Sequence, residues 1–156
     1  MIKVHRIFIS PGHNYFGHHG GAAENHATVE TGEVECVAGR GIRGDRFFDY
    51  EKNYKGQITF FSQEDFEVMQ RELGLPDAQP AALRRNVLVS GMDLPALIGA
   101  EFEIQGVRFA GAEECRPCYW MNSAFRDERA ENWLTGRGGL RARVLTDGVL
   151  RRESSK

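Results

Sequence analysis

Two cysteines, Cys115 and Cys118, lie three positions apart in 113-EECRPC-118, with an arginine and a proline between them. A thiolate is both the nucleophilic and the metal-binding form of cysteine, so this spacing admits several chemistries. A thioredoxin-like redox couple would place the pair early, just after a first strand, and here it falls late in the chain. A structural zinc site needs four ligands, which Cys36 and a histidine would have to complete. Two buried cysteines with no chemical role are another reading. The last is one reactive thiol with a supporting neighbour. On local chemistry Cys118 ranks as the more reactive. It follows Arg116 and Pro117, where a helix could start, whereas Cys115 follows the acidic Glu113 and Glu114.

A second set of residues is cationic. The chain holds sixteen Arg and four Lys. Guanidinium presents a planar fork suited to phosphate and carboxylate, and it stays charged when partly buried. Three segments place Arg beside Gly or at the start of a strand. They are 39-GRGIRGDRFF-48 with Arg40, Arg43 and Arg46, 84-RRN-86, and 136-GRGGLRAR-143 with Arg137, Arg141 and Arg143. Glycine allows close backbone approach and Arg supplies bidentate bonds, so together the segments predict an anion pocket. The alternative is that the glycines make turns and the arginines pair with the 22 acidic residues. None of the segments is a Walker A loop or a GxGxxG fingerprint.

A third candidate is the stretch at positions 11–32, which holds His13, His18, His19 and His26 and shows almost no periodicity. A loop of that length inside a compact domain is often functional. No HExxH-like spacing is present. A polar surface loop and a lining for the pocket mouth are both open readings.

These residues need a scaffold. Apolar and β-branched runs predict strands at 4–10, 33–37, 57–61, 86–90, 101–104, 107–111, 142–145 and 148–151. Gln105-Gly106 suits a two-residue hairpin turn, and a second tight turn at 146–148 would close another hairpin. Ser62 and Asp65 resemble a capping box. Phe66, Met69 and Leu73 then define one helical face, which Gly74 and Pro76 end. Short helices are expected at 93–99, 118–125 and 128–134. Many short strands with a few inserted helices predict a mainly β fold, a closed or nearly closed β-barrel in a single domain spanning 1–156.

Composition narrows the function classes. A chain of 156 residues with 41% hydrophobic and 27% charged residues is that of a globular domain. The net charge of -2 gives no ground for general binding to nucleic acid or to a membrane surface. No apolar run reaches the roughly 18 residues of a membrane span. The three cysteines are an odd number, unlike a secreted disulfide framework, and MIKVHRIFIS lacks a cleavage site; both features predict a cytoplasmic protein.

The order GIRGDRFF, QITFFSQED, LRRNVLVSGMDLPALIG, ECRPC and GRGGLRARVL resembles the MOSC domain, the C-terminal module of molybdenum cofactor sulfurases. That domain also occurs as stand-alone bacterial proteins, which the GHHGG and ECRPCYWMN stretches resemble most. The resemblance runs from about Ile2 to Arg151. It implies a β-barrel and a bound molybdenum-pterin cofactor. Cys118 then falls at the family's reactive position, as a molybdenum ligand or a sulfur carrier. It further implies cofactor contacts at Arg84, Asn86, Arg116 and Arg141, to which the arginine-glycine segments themselves add Arg46 and Arg137 as candidate cofactor-binding residues. Implied partners are a pyridoxal-phosphate-dependent cysteine desulfurase as sulfur donor, or a redox protein feeding a reductase of N-hydroxylated compounds. The chain itself has no recognisable Schiff-base lysine motif. It also departs from the family pattern. Phe47 follows Gly-Asp-Arg where many relatives carry histidine, and Gly12 and His13 stand where the amidoxime-reducing branch has a lysine.

Overall fold

The computed structural model describes residues 1–11 and 28–153. His13, His18, His19 and His26, and the loop reading attached to them, lie outside the described residues. The strands are β1 (Lys3–Ile9), β2 (Val29–Thr31), β3 (Glu33–Val37), β4 (Gly41–Ile42), β5 (Ile58–Ser62), β6 (Val87–Ser90), β7 (Glu101–Ile104), β8 (Val107–Glu114), β9 (Leu140–Val144) and β10 (Gly148–Arg151). The helices are α1 (Gln63–Glu72), α2 (Trp120–Phe125) and α3 (Ala130–Leu134), with 3-10 turns at Pro80–Leu83 and Pro95–Leu97.

Local chemistry explains most of these elements. The Ser62 hydroxyl accepts a hydrogen bond from the Asp65 amide at 3.0 Å and starts α1, while Phe66 and Met69 bury its apolar face. The hairpin between β7 and β8 turns on Gln105 (φ 52°) and Gly106 (φ 84°), the left-handed pair that a tight hairpin requires.

The expected barrel is not formed by the described strands. They make a seven-stranded sheet in the order β2-β1-β6-β5-β9-β8-β7 and a three-stranded sheet in the order β10-β3-β4. In a barrel every strand is bonded on both sides. Here β2 and β7 end the larger sheet without pairing with each other. The second expected hairpin is not formed either. The turn at 146–148 does not fold β10 back on β9. The Asp147 carboxylate accepts from the Ala38 amide at 2.8 Å and Thr146 Oγ1 accepts from the Arg108 amide at 3.0 Å. The chain is thereby drawn across to β3, which β10 pairs along its length.

The apolar residues divide between two cores. One lies between the sheets and joins Val4, Ile7, Phe60, Val87 and Phe109 to Val34, Cys36, Ile42 and Leu150. The other lies under the helices and joins Phe61 and Leu88 to Phe66, Met69, Met121, Phe125 and Leu134. Successive residues of a strand point to opposite faces, so Phe60 and Phe61 of β5 serve different cores. That is why β5 reads as a continuous apolar run; it is central, parallel to β6 and covered on both faces. No described helix is long and apolar enough to cross a membrane.

The glycine pair before β9 sets how closely the strands approach. A Cβ on Gly138 would stand 2.0 Å from the Cys115 carbonyl oxygen, and one on Gly139 would stand 2.3 Å from the Phe60 carbonyl oxygen. Gly139 also has φ 104°, a conformation that side chains rarely adopt. Gly139→Ala is therefore expected to destabilise the protein by about 2 kcal/mol or more, lowering the melting temperature by roughly 5 °C. Thermal denaturation followed by circular dichroism checks this; an unchanged melting temperature would remove the close-approach argument.

Candidate functional site

The three arginine segments converge, each sending some of its side chains into one cavity and the rest elsewhere. From the first, Arg40 pairs outward with Asp49 and Arg43 with Glu35, while Arg46 turns inward. Arg46 is 10% exposed at its side chain, donates to the Arg84 carbonyl at 3.2 Å and lies over the Phe47 ring at 4.8 Å. From the second segment both arginines enter. Arg84 donates to Thr28 Oγ1 at 2.9 Å and to Ser10 Oγ at 3.0 Å. From the third, Arg141 enters from near the start of β9, opposite Thr59 and Glu113. Arg143 reaches the Asn53 carbonyl, and Arg137 stacks on Trp133 at 4.2 Å beside a different cleft with Asp65 and Leu94.

The resulting cavity measures about 90 Å³ and is lined by Arg46, Arg84, Arg85 and Arg141, with Phe47, Tyr54, Gly56, Thr59 and Cys115. No carboxylate is among the described lining residues. Asp45, the buried acid nearest to Arg46, is engaged with the Ser10 amide at 3.0 Å and with Arg46 at 3.4 Å. Burial lowers the pKa of Arg46, and Arg85's like charge lowers it further. Burial and then the neighbouring Arg46 push Arg84 down to about 10. Burial also acts against the charge of Arg141. Cys115, Tyr54 and Glu113 together more than offset it, so the Arg141 pKa rises. The guanidiniums repel one another in a partly dehydrated space, and a bound oxyanion relieves both costs at once.

Arg85 carries no prior signal except its place in the Arg-Arg doublet. In a regular strand, neighbours would face opposite ways. Arg84 instead adopts a left-handed conformation (φ 56°) at the end of the Pro80–Leu83 turn, which breaks the alternation and admits both side chains. Tyr54 and Thr59 had no spacing signal. Phe47 stacks on Tyr54 at 5.2 Å, so the position where many relatives carry a histidine here gives the cavity an aromatic wall.

The two cysteines separate. Cys115 is 5% exposed and lines the cavity beside Arg141. Its backbone is gripped on both sides, by the Gly139 carbonyl at 2.8 Å and by Arg85 at 3.0 Å. Cys118 is exposed and does not line that cavity. Three residues separate their Cα atoms by at most roughly 11 Å. The expected helix start at Cys118 is corrected. The segment is held extended through Cys115, α2 begins at Trp120, and the Cys118 carbonyl accepts from the Met121 amide at 2.9 Å. Arg116 is also exposed, and its charge helps hold the Glu113 carboxyl below its usual range, after the larger effect of Lys55. Cys36 sits in the inter-sheet core, where burial pushes its thiol up to about 12. Among the described residues, no three His, Cys, Asp or Glu side chains come together as a metal site. The zinc reading thus gains no support there.

Asn86, the remaining expected contact, is 2% exposed and faces protein. Its side-chain oxygen accepts from the Thr59 amide at 2.9 Å and the Thr59 hydroxyl at 3.1 Å, and its amide nitrogen donates to the Phe8 carbonyl at 3.1 Å. It joins β1, β5 and the start of β6 beneath the arginines.

The chain belongs to the MOSC domain family, whose model matches residues 13–154. Among solved structures it is similar to the YuaD protein from Bacillus subtilis, with a TM-score of 0.72 and 21% identity over 97% of this chain and 92% of that one. YiiM from Geobacillus stearothermophilus gives a TM-score of 0.68 and 15% identity over 97% and 71% of the two chains. YiiM from Escherichia coli gives 0.61 and 18% over 79% and 60%. No curated protein matches the sequence.

Asn86→Ala leaves a buried amide and hydroxyl without their partner and is expected to cost about 2 kcal/mol or more of stability. Chemical denaturation measures it; a loss below about 0.5 kcal/mol would show that Asn86 does not hold the strands together.

Proposed function

We propose that this MOSC protein binds a molybdenum-pterin cofactor, with its phosphate held by Arg46, Arg84, Arg85 and Arg141. The observation that carries the reading is the convergence of four guanidiniums, with no described carboxylate, on a cavity that Cys115 lines and Cys118 adjoins in sequence. These residues suit the phosphate end of such a group. Arg85 donates to neutral carbonyls, and Arg84 and Arg46 gain an anion to offset their repulsion. When bound, the molybdenum centre supplies two-electron redox chemistry and takes soft ligands such as thiolate. The chain's own contribution is to anchor the phosphate, to shield it with the Phe47–Tyr54 wall and to offer a thiol. Cys118 is the proposed ligand, because it is accessible to a group larger than the cavity.

A second reading has Cys118 as a sulfur carrier, and its exposure favours it. Its thiolate would attack the outer sulfur of a persulfide on a pyridoxal-phosphate-dependent cysteine desulfurase. The donor's S–S bond breaks, the donor keeps its thiolate and Cys118 carries the persulfide. Reduction of N-hydroxylated compounds at a bound centre would need electrons from a separate redox protein.

Protein purified from cells that make molybdopterin is expected to retain pterin, read by fluorescence after oxidation, and molybdenum, read by elemental analysis. Arg141→Ala should lower pterin content about tenfold or more, since charge-assisted bonds of this kind contribute about 1.5–3 kcal/mol. Cys118→Ser should lower molybdenum more than pterin. A wild type that retains neither overturns the cofactor reading. Persulfide on Cys118 after incubation with a desulfurase and cysteine would select the carrier role.

A further inference from the structure

The three thiols of this chain occupy three different environments, and only one faces the guanidinium cavity. Cys36 is enclosed by apolar core residues, with Glu35 as its nearest charge. Cys118 is exposed. Cys115 lines the cavity with Arg46, Arg84, Arg85 and Arg141. Arg46 and Tyr54 line the same cavity. A volume of about 90 Å³ admits a small anion, not an extended molecule.

We infer that Cys115 is a second functional thiol: the cavity concentrates small anionic electrophiles on its sulfur, so that it is modified selectively, and an oxyanion bound by the four arginines protects it. This rests on the anion-binding part of the reading above and not on the identity of the cofactor. Field lines focus in a partly buried cleft lined by one sign of charge, raising the local concentration of an oppositely charged reagent by tenfold or more. A neutral reagent of the same size gains nothing from that field. The sequence around Cys115 points the other way, since Glu113 and Glu114 precede it. Glu113 is engaged with Lys55 at 2.9 Å and with Arg141 at 3.6 Å, and Glu114 accepts from the Gly136 amide at 3.1 Å.

The probe pair is iodoacetate and iodoacetamide. In each, the thiolate sulfur forms a bond to carbon, the C–I bond breaks, iodide leaves and the thiol proton goes to solvent. Cofactor-free native protein is treated with each reagent, and the rate at each cysteine is read by peptide mass spectrometry. The expected iodoacetate-to-iodoacetamide rate ratio at Cys115 exceeds that at Cys118 by about tenfold. Inorganic phosphate should slow carboxymethylation of Cys115 in a saturable way and leave Cys118 unchanged, with sodium chloride at matched ionic strength as the control. Arg141→Gln should bring the two ratios together, and the phosphate arm keeps the test decisive if that variant folds poorly. Equal ratios at the two thiols, an unmodified Cys115, or slowing by chloride equal to that by phosphate would each overturn the inference. The two readings fail separately. Pterin retention without selective Cys115 chemistry removes this inference alone, and phosphate protection of Cys115 without pterin retention removes the cofactor alone.

Discussion

Arg85 is the interaction on which the rest of the site depends. Its guanidinium donates to the carbonyls of Leu83 at 2.8 Å, Gly138 at 2.8 Å and Cys115 at 3.0 Å. Those carbonyls belong to the turn before β6, the loop before β9 and the segment after β8. One side chain therefore fixes the three pieces of backbone that bound the cavity. All three of these partners are neutral, so the clamp satisfies the donors without cancelling the charge. A carboxylate in the same place would hold the backbone as well and would leave a weaker anion site.

The same economy recurs around the cavity. Asp45 is almost fully buried, and its oxygens are taken by the Ser10 amide at 3.0 Å and by Arg46 at 3.4 Å, so it orders the loop and offsets part of the charge of Arg46. Asn86 satisfies the strands below with uncharged groups. Gly138 and Gly139 lack the side chains that would push β9 away from Cys115 and Phe60. The glycines of GRGG thus serve strand approach. Arg85 and Arg84 are held by uncharged groups, and the repulsion between Arg46 and Arg84 is the cost that an anion removes.

Much of the fold was legible because its signals are local. Alternation and turn residues marked 33–37, 101–104 and 148–151, and the Ser62 cap with its Phe66 and Met69 face marked α1. Partner choice was not legible. Nothing in Thr146-Asp147-Gly148 says that Asp147 will reach Ala38 and send β10 to β3, because that depends on an amide more than a hundred positions away. The expectation of a second hairpin was lost at this point. The two-residue strand at Gly41–Ile42 is too short for any periodicity to register.

By itself the sequence determined the residue types of the site: abundant arginine set among glycines, a cysteine pair, and the motif order that belongs to the MOSC family. Only the tertiary structure decided which of them meet. It turned Arg46, Arg84 and Arg141 inward, added Arg85, and sent Arg40, Arg43, Arg137 and Arg143 to other partners. It also reversed the environments expected of the two cysteines, giving Cys115 the guanidiniums and Cys118 the solvent. The physical reason is that charge acts through space. The acidic neighbours of Cys115 in the chain are drawn to Lys55, Arg141 and Gly136, while the arginines that surround its sulfur arrive from strands and turns distant in sequence.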